Sequence, residues 1–484
     1  MEEIDIALIK KRSIRGVFAL TSRTFAIQII SFIANFLLTI FLSPSAFGVF
    51  FVVSAAIAFL SYFSDLGLAA ALIQKKEEIT KDDLKTTFTI QQILVISVVV
   101  IAFLLSKFVG EFYNLEKQGT FLFQALAIAF FLSSLKTIPS IILERNLRFE
   151  KLVIPQIVET LVFSVVVVVL AVKGFGITSF SYAVLARGIS GLVVIYIISP
   201  WRISIGFSKE SAKKLLSFGL PFQLNSFLAL IKDDLFVAYL GKVLPLSAVG
   251  YIGFAQKWAF MPLRLILDNV IRITFPSFSR LQDEKEILAK AIEKSIFAAC
   301  FMIFPALVGL VILAPYFVNI VPKYLKWEPA IFSLFFFSLN AAFSSISTPL
   351  TNALNAVGKI KTTLKLMVFW TAATWFLTPL FIKIYGFNGV SIASFIIACS
   401  VVLVVIIAKR SISFSIRNAV MYPGISALIM GIFVFFAGET FVKGFISLFL
   451  VIGISAMIYF LTIYVFAKKQ LLMDIALIKE NIKK

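Results

Sequence analysis

Histidine is absent from all 484 residues. That absence removes imidazole acid–base catalysis, Ser-His-Asp triads and histidine metal sites together. Cysteine is scarce: Cys300 and Cys399 are the only two, and both fall inside apolar runs. They read as packing thiols, not as a disulfide or a metal pair. No GxxxxGK[ST] sequence occurs, and Gly358-Lys359-Ile360-Lys361 reads as a short turn, so neither a nucleotide cofactor nor ATP as the direct energy source is expected. Charged residues make up only 14% of the chain.

What fills the sequence instead is apolar length. Hydrophobic residues account for 60% of positions and mean hydropathy is +1.00. A bilayer core of about 30 Å takes roughly 20 helical residues to cross, and runs of that length recur along the chain. Inside hydrocarbon the backbone must satisfy its own hydrogen bonds, so each run is predicted to be a helix. The reading is an all-α integral membrane protein with about 14 transmembrane helices. Spans 1 and 2 fall at roughly 17–41 and 47–72, spans 5 and 6 at 152–172 and 177–199, and spans 7 and 8 at 215–240 and 248–271. The first run is too long for a secretory signal and lacks a small-residue cleavage site, so it is expected to be an anchor.

The formal net charge of +20 invites a nucleic-acid partner, but its distribution excludes one. Of the 45 Lys and Arg residues, 31 lie on the side that carries both termini, 8 on the opposite side and 6 within spans. The positive-inside rule therefore places both termini in the cytoplasm, with the basic loops against membrane lipids of the cytoplasmic (inner) membrane. The stretch 277–293, with Asp283, Glu284, Lys285 and Glu286 among apolar residues, is expected to form a short amphipathic helix on that surface.

The chain also repeats. Ser45-Ala46-Phe47-Gly48-Val49-Phe50 is echoed 202 residues later by Ser247-Ala248-Val249-Gly250-Tyr251-Ile252. Gly174-Phe175-Gly176-Ile177 is echoed by Gly386-Phe387-Asn388-Gly389-Val390. Both matches lie six spans apart, so two six-helix bundles of the same orientation are predicted around a central cavity. Their expected bounds are 1–205 and 206–410, with two extra transmembrane helices and a basic tail over 411–484. A cleft between two such bundles opens to either side by rocking, which makes transport the function the architecture favours.

Several stretches carry a family resemblance. They are Leu42-Ser43-Pro44 through Gly48, Phe63-Ser64-Asp65-Leu66-Gly67-Leu68 through Gln74, and Leu143-Glu144-Arg145-Asn146-Leu147-Arg148-Phe149. Pro262-Leu263-Arg264, Phe275-Pro276-Ser277 through Gln282, and Lys326-Trp327-Glu328-Pro329-Ala330 complete the series. In that order they resemble the Wzx-type polysaccharide exporters of the multidrug/oligosaccharidyl-lipid/polysaccharide superfamily, nearest to colanic and teichuronic acid exporters. The resemblance implies a flippase, not an enzyme, that moves polyprenyl-pyrophosphate-linked oligosaccharides to the outer leaflet by alternating access. It leaves open an association with a polysaccharide polymerase and a chain-length regulator. Coupling to H⁺ or Na⁺ is a further expectation. A multidrug/cation antiporter of the same superfamily is the alternative.

Charges inside the spans point to where such a substrate binds, because each is costly in hydrocarbon. A pyrophosphate calls for fixed cations, and Arg23, Arg187, Lys257 and Arg264 are the head-group candidates. On span 8, Lys257, Arg264, Asp268 and Arg272 form one helical stripe. Arg187 faces either substrate or a structural partner such as Glu159. Gln28 and Asn35 on span 1, with Asn225 on span 7, are candidate polar cavity lining. Asp65, Glu159 and Asp268 are candidates for ion coupling. Lys232, Asp233 and Asp234 are expected to form an interfacial ion-pair cluster, and the polar residues of span 10 (Asn340 through Asn355) to serve helix packing.

Overall fold

The computed structural model describes the backbone of residues 6–64, 66–75 and 77–482. Side chains are described from 22 to 468, except at 65, 76, 221, 222, 224–226, 228, 229, 269, 272 and 273. Among the described residues eighteen α-helices follow one another, with a short 3-10 helix (Pro322–Trp327) between the twelfth and thirteenth. They begin α1 (Ile6–Phe41), α2 (Pro44–Tyr62), α3 (Leu68–Gln74), α4 (Lys81–Phe112), α5 (Lys117–Ser134) and α6 (Thr137–Arg145). Then come α7 (Phe149–Val172), α8 (Thr178–Ile198), α9 (Lys209–Lys232), α10 (Asp234–Val243), α11 (Leu246–Arg280) and α12 (Lys285–Ile320). The last six are α13 (Ala330–Ala356), α14 (Ile360–Tyr385), α15 (Asn388–Ala398), α16 (Val401–Lys409), α17 (Arg417–Phe441) and α18 (Phe445–Ile482). Among the described residues there is no strand.

Among the described residues eleven segments are long and apolar enough to cross a membrane, or up to twelve if α5 and α6, bent by 42° at their junction, form one span. The remaining two of the fourteen expected spans are helical too. One is α9 with α10, which lies partly outside the described residues; the other is α11, whose Gln256, Lys257, Arg264 and Asp268 dilute its apolar content. The separate surface helix expected over 277–293 does not form. Its residues divide between the end of α11 and the start of α12, with the turn at 281–284 between them.

The chain gathers into two compact units, 1–250 and 251–484. In the first, α7 packs on both α1 and α8, and α8 on α5. Local chemistry sets the helix starts: Ser43 Oγ accepts the Ala46 N–H ahead of Pro44, and Thr80 with Asp83 closes a capping box at α4. Between α2 and α4 the chain breaks at Gly67, whose φ of +69° suits glycine. A Cβ there would run into the backbone of Gly219 on α9, so this glycine is also the point of helix contact. Just before it, Tyr62 Oη donates to the Gln223 carbonyl at 2.6 Å and Gln223 Nε2 returns a bond to the Tyr62 carbonyl at 3.1 Å. At the other end of α2, Gly48 meets Leu246 and Gly250 backbone to backbone, so the two copies of the repeated hexapeptide touch through their glycines.

Two stretches of the family resemblance meet in this unit. Arg145, at the end of α6, donates to the carbonyls of Leu72 (2.8 Å), Lys75 (2.6 Å) and Glu77. The orphan carbonyls at the end of the short helix α3 thereby find a charged donor. Beside them Lys75 pairs with Asp83 at 2.5 Å.

In the second unit α12 packs on α13, α17 and α18. Tyr459, buried on α18, donates to the Phe301 carbonyl at 2.7 Å, so the two final helices belong to this body. The amides of α13 are engaged in packing. Asn340 Nδ2 bonds Ser394 Oγ at 2.7 Å, Asn352 Nδ2 bonds Thr274 Oγ1 at 3.2 Å, and Asn355 Oδ1 accepts from Thr363.

Gly67 and Gly174 both have positive φ, but only Gly67 is crowded. Gly67→Ala is expected to lose about 2–4 kcal/mol, from left-handed strain plus overlap with Gly219, and Gly174→Ala about 1–2 kcal/mol. Unfolding midpoints of the two variants in detergent check this; equal losses would remove the close-approach account.

Candidate functional site

The charged cluster of the first unit is built on α7. Gln156 and Glu159 are three residues apart and share a helix face. Gln156 Oε1 accepts from Arg23 Nη1 on α1. Glu159 is buried and serves two cations: Lys136 Nζ, at the α5–α6 bend, lies 2.6 Å from Oε1, and Arg187 Nε on α8 lies 3.6 Å from Oε2. Gly191, one turn beyond Arg187, makes this possible, because any Cβ there would occupy the place of the Glu159 carboxylate. The pairing of Arg187 with a partner such as Glu159 is therefore what the structure contains.

The balance of this cluster is positive. Glu159 cancels one cation, and Lys136 is the nearer and more buried of the two. The Arg187 side chain stays 54% exposed. On α8 the exposed apolar residues Tyr182, Ile189 and Val193 form one stripe. At 100° per residue Arg187 lies well round from that stripe, beside the buried Phe180 and Gly191. Arg23 adds a further positive charge, with Nε buried and unbonded.

A second feature of the first unit is a polar cavity of about 510 Å³ walled by α2, α4, the α5–α6 bend, α9 and α10. Asp233 and Asp234, at the break between α9 and α10, line it. The expected ion-pair cluster is not formed: among the described residues Lys232 makes no ion pair with either aspartate.

In the second unit Lys257, Arg264 and Asp268 lie on α11 at i, i+7 and i+11, and all three side chains are exposed. Among the described residues Arg264 and Asp268 form no ion pair, although their spacing allows one. The side chain of Arg272 lies outside the described residues, as do Asp65 and the side chain of Asn225. Of the other predicted lining residues, Gln28 is half-buried and Asn35 Nδ2 bonds the Ser31 carbonyl of its own helix at 2.6 Å. Sequence reasoning passed over Gln156, Tyr62 and Gln223. Only Gln156 had a signal, its place one turn before Glu159.

Three comparisons bear on this geometry. A family model described as "Polysaccharide biosynthesis protein" matches residues 37–332. An "Uncharacterized membrane protein in cps region" of Klebsiella pneumoniae is 26% identical over 349 residues, covering 71% of this chain and 70% of the relative. The "Lipopolysaccharide biosynthesis protein WzxC" of Escherichia coli (strain K12) is 26% identical over 334 residues, covering 67% of this chain and 66% of that one. Among solved structures, "Lipid II flippase MurJ, inward closed conformation" aligns over 93% of this chain and 99% of that chain, with a TM-score of 0.74 and 15% identity. At that identity the likeness establishes the fold.

The cluster also generates a stability test. Glu159→Gln strands two cations and is expected to lower stability by about 3–5 kcal/mol, whereas Arg187→Gln leaves the Lys136–Glu159 pair intact and costs under about 1 kcal/mol. Thermal unfolding of both variants in the same detergent reads the difference; comparable losses would mean Arg187 shares the buried pair equally.

Proposed function

The chain belongs to the polysaccharide biosynthesis protein family, a group of multi-pass membrane transporters and flippases, and from that premise we propose what it carries. It moves a polyprenyl-pyrophosphate-linked oligosaccharide from the cytoplasmic to the outer leaflet of the cytoplasmic membrane, with both its termini in the cytoplasm. The isoprenoid tail needs no path through the protein, because hydrocarbon already solvates it. The pyrophosphate does need one, and it must be positive.

The observation that carries the proposal is the exposure of Lys257 and Arg264 in the middle of a 35-residue helix. A cation at membrane depth faces water or a counter-charge, never hydrocarbon. Arg264 forms no ion pair among the described residues, so an anionic head group supplies what the protein does not. The surplus charge at Arg187 gives a second position of the same sign. Both features weigh against a cation antiporter, which needs carboxylates where these cations stand. Glu159 is committed to Lys136 and Arg187 and Asp65 lies outside the described residues, so of the three carboxylates expected to couple an ion Asp268 on α11 is the one left for that role.

Flipping of a fluorescent polyprenyl-pyrophosphate oligosaccharide in proteoliposomes tests the proposal. Lys257→Ala and Arg264→Ala are each expected to slow it about tenfold or more, the worth of a charge-assisted hydrogen bond. Wild-type rates in both variants would move the head-group path off α11. A folded wild type that flips nothing and exports cationic dyes would establish the antiporter instead.

A further inference from the structure

The polar cavity of the first unit is the wrong place for a pyrophosphate. Among the described residues no Lys or Arg lines it, while Asp233 and Asp234 do. The rest of its wall mixes hydroxyls and amides, among them Ser61, Gln91, Thr137 and Gln223, with apolar surface from Phe130 and Leu230. Its volume of about 510 Å³ lies in the range of small-molecule sites, roughly 300–1,000 Å³, and is far more than a bare ion needs.

The position of the aspartates adds to this. Gln223 is bonded to Tyr62 at one end of α2, and Gly241 lies against Val52, well up the same helix. Asp233 and Asp234 fall between these two anchors, level with the interior of α2 rather than with its ends. Asp233 is exposed and Asp234 half-buried, and neither has an ion-pair partner among the described residues, so both carboxylates are open to donors from a ligand. Gln91 shows the same deficit: its Nε2 donates to Thr137 at 3.1 Å, and its Oε1 is buried with no partner. The wall is therefore short of hydrogen-bond donors and rich in acceptors.

A sugar ring supplies what is missing. Neighbouring hydroxyls donate in pairs to a carboxylate, an amine donates as a cation, and a uronic acid brings like charge against like charge. We infer that this cavity is a glycan subsite that takes neutral or amine-bearing sugars and rejects uronic acids. The identity of the carrier lipid rests on the function proposed above; the sugar chemistry of the cavity does not.

The test compares three synthetic polyprenyl-pyrophosphate disaccharides whose lipid-proximal sugar is glucose, 2-amino-2-deoxyglucose or glucuronic acid. Wild type is expected to flip the first two at least about tenfold faster than the third, since two carboxylates set like charge against a uronate. In Asp233→Asn/Asp234→Asn the gap should close to within about threefold. Binding of sugar-free polyprenyl pyrophosphate should be the same in both proteins, which also shows that the variant is folded. An unchanged preference in the double variant overturns the inference, and so does equal loss of the sugar-free lipid. If the substitution changes only the Na⁺ or pH dependence of flipping, the carboxylates serve a cation and the glycan subsite is rejected. If wild type flips none of the three lipids, the proposed function fails. The cavity is then judged by equilibrium binding of methyl glucoside and methyl glucuronide to the purified protein, where equal affinities would rule it out.

Discussion

Hydrocarbon offers a backbone no hydrogen-bond partner, and the local structure of this chain follows from that single constraint. Where the sequence is apolar the helix bonds to itself. Where a helix begins or ends, another group takes over: Ser43 at the start of α2, the Thr80–Asp83 box at the start of α4, and Arg145 for the carbonyls at and after the end of α3. The third case explains why a stretch around 63–74 and another around 143–149 occur together. One holds the carbonyls and the other the guanidinium that satisfies them.

The same constraint governs charge. Glu159 is tolerable on α7 because Lys136 lies 2.6 Å away and because Gly191 leaves room for the carboxylate. Once that pair is satisfied, the second cation is in excess. The cluster is divided by distance: the close cation compensates the buried carboxylate and the distant one stays half-exposed. On α11 no such compensation is present for Arg264 among the described residues, and its exposure is what distinguishes it from an embedded charge held for packing.

Much of the fold could be read from the sequence because hydropathy reports directly on helices of membrane length. The repeated hexapeptide pointed to Gly48 and Gly250, and both are points of backbone contact. The supposed surface helix at 277–293 could not be read correctly: its charges are those of two helix ends and a turn, and composition does not separate these cases. The cavity was hidden for another reason. Its wall takes single hydroxyls and amides from five helices, and a serine on a membrane helix looks the same whether it faces a neighbour or a hollow. The Lys232-Asp233-Asp234 run suggested mutual neutralisation, yet the helix break at Asp233 turns both acids toward the hollow.

The meeting of Gly67 with Gly219 has a mechanical consequence. Most helix contacts interleave side chains, so parting them requires many rotamers to change together and the barrier is one of repacking. At Gly67 and Gly219 two backbones abut directly, and that point contact lets the side chains on either side come close. Leu68 and Leu72 pack with Leu215 of α9, and Leu66, Leu216 and Phe218 lie against the same cluster. Tyr62 and Gln223 add two hydrogen bonds to main-chain carbonyls beside it. Parting this end of α2 and α3 from α9 thus means breaking those two bonds and unpacking a small core together, so the junction resists piecemeal opening and yields, if at all, as a unit.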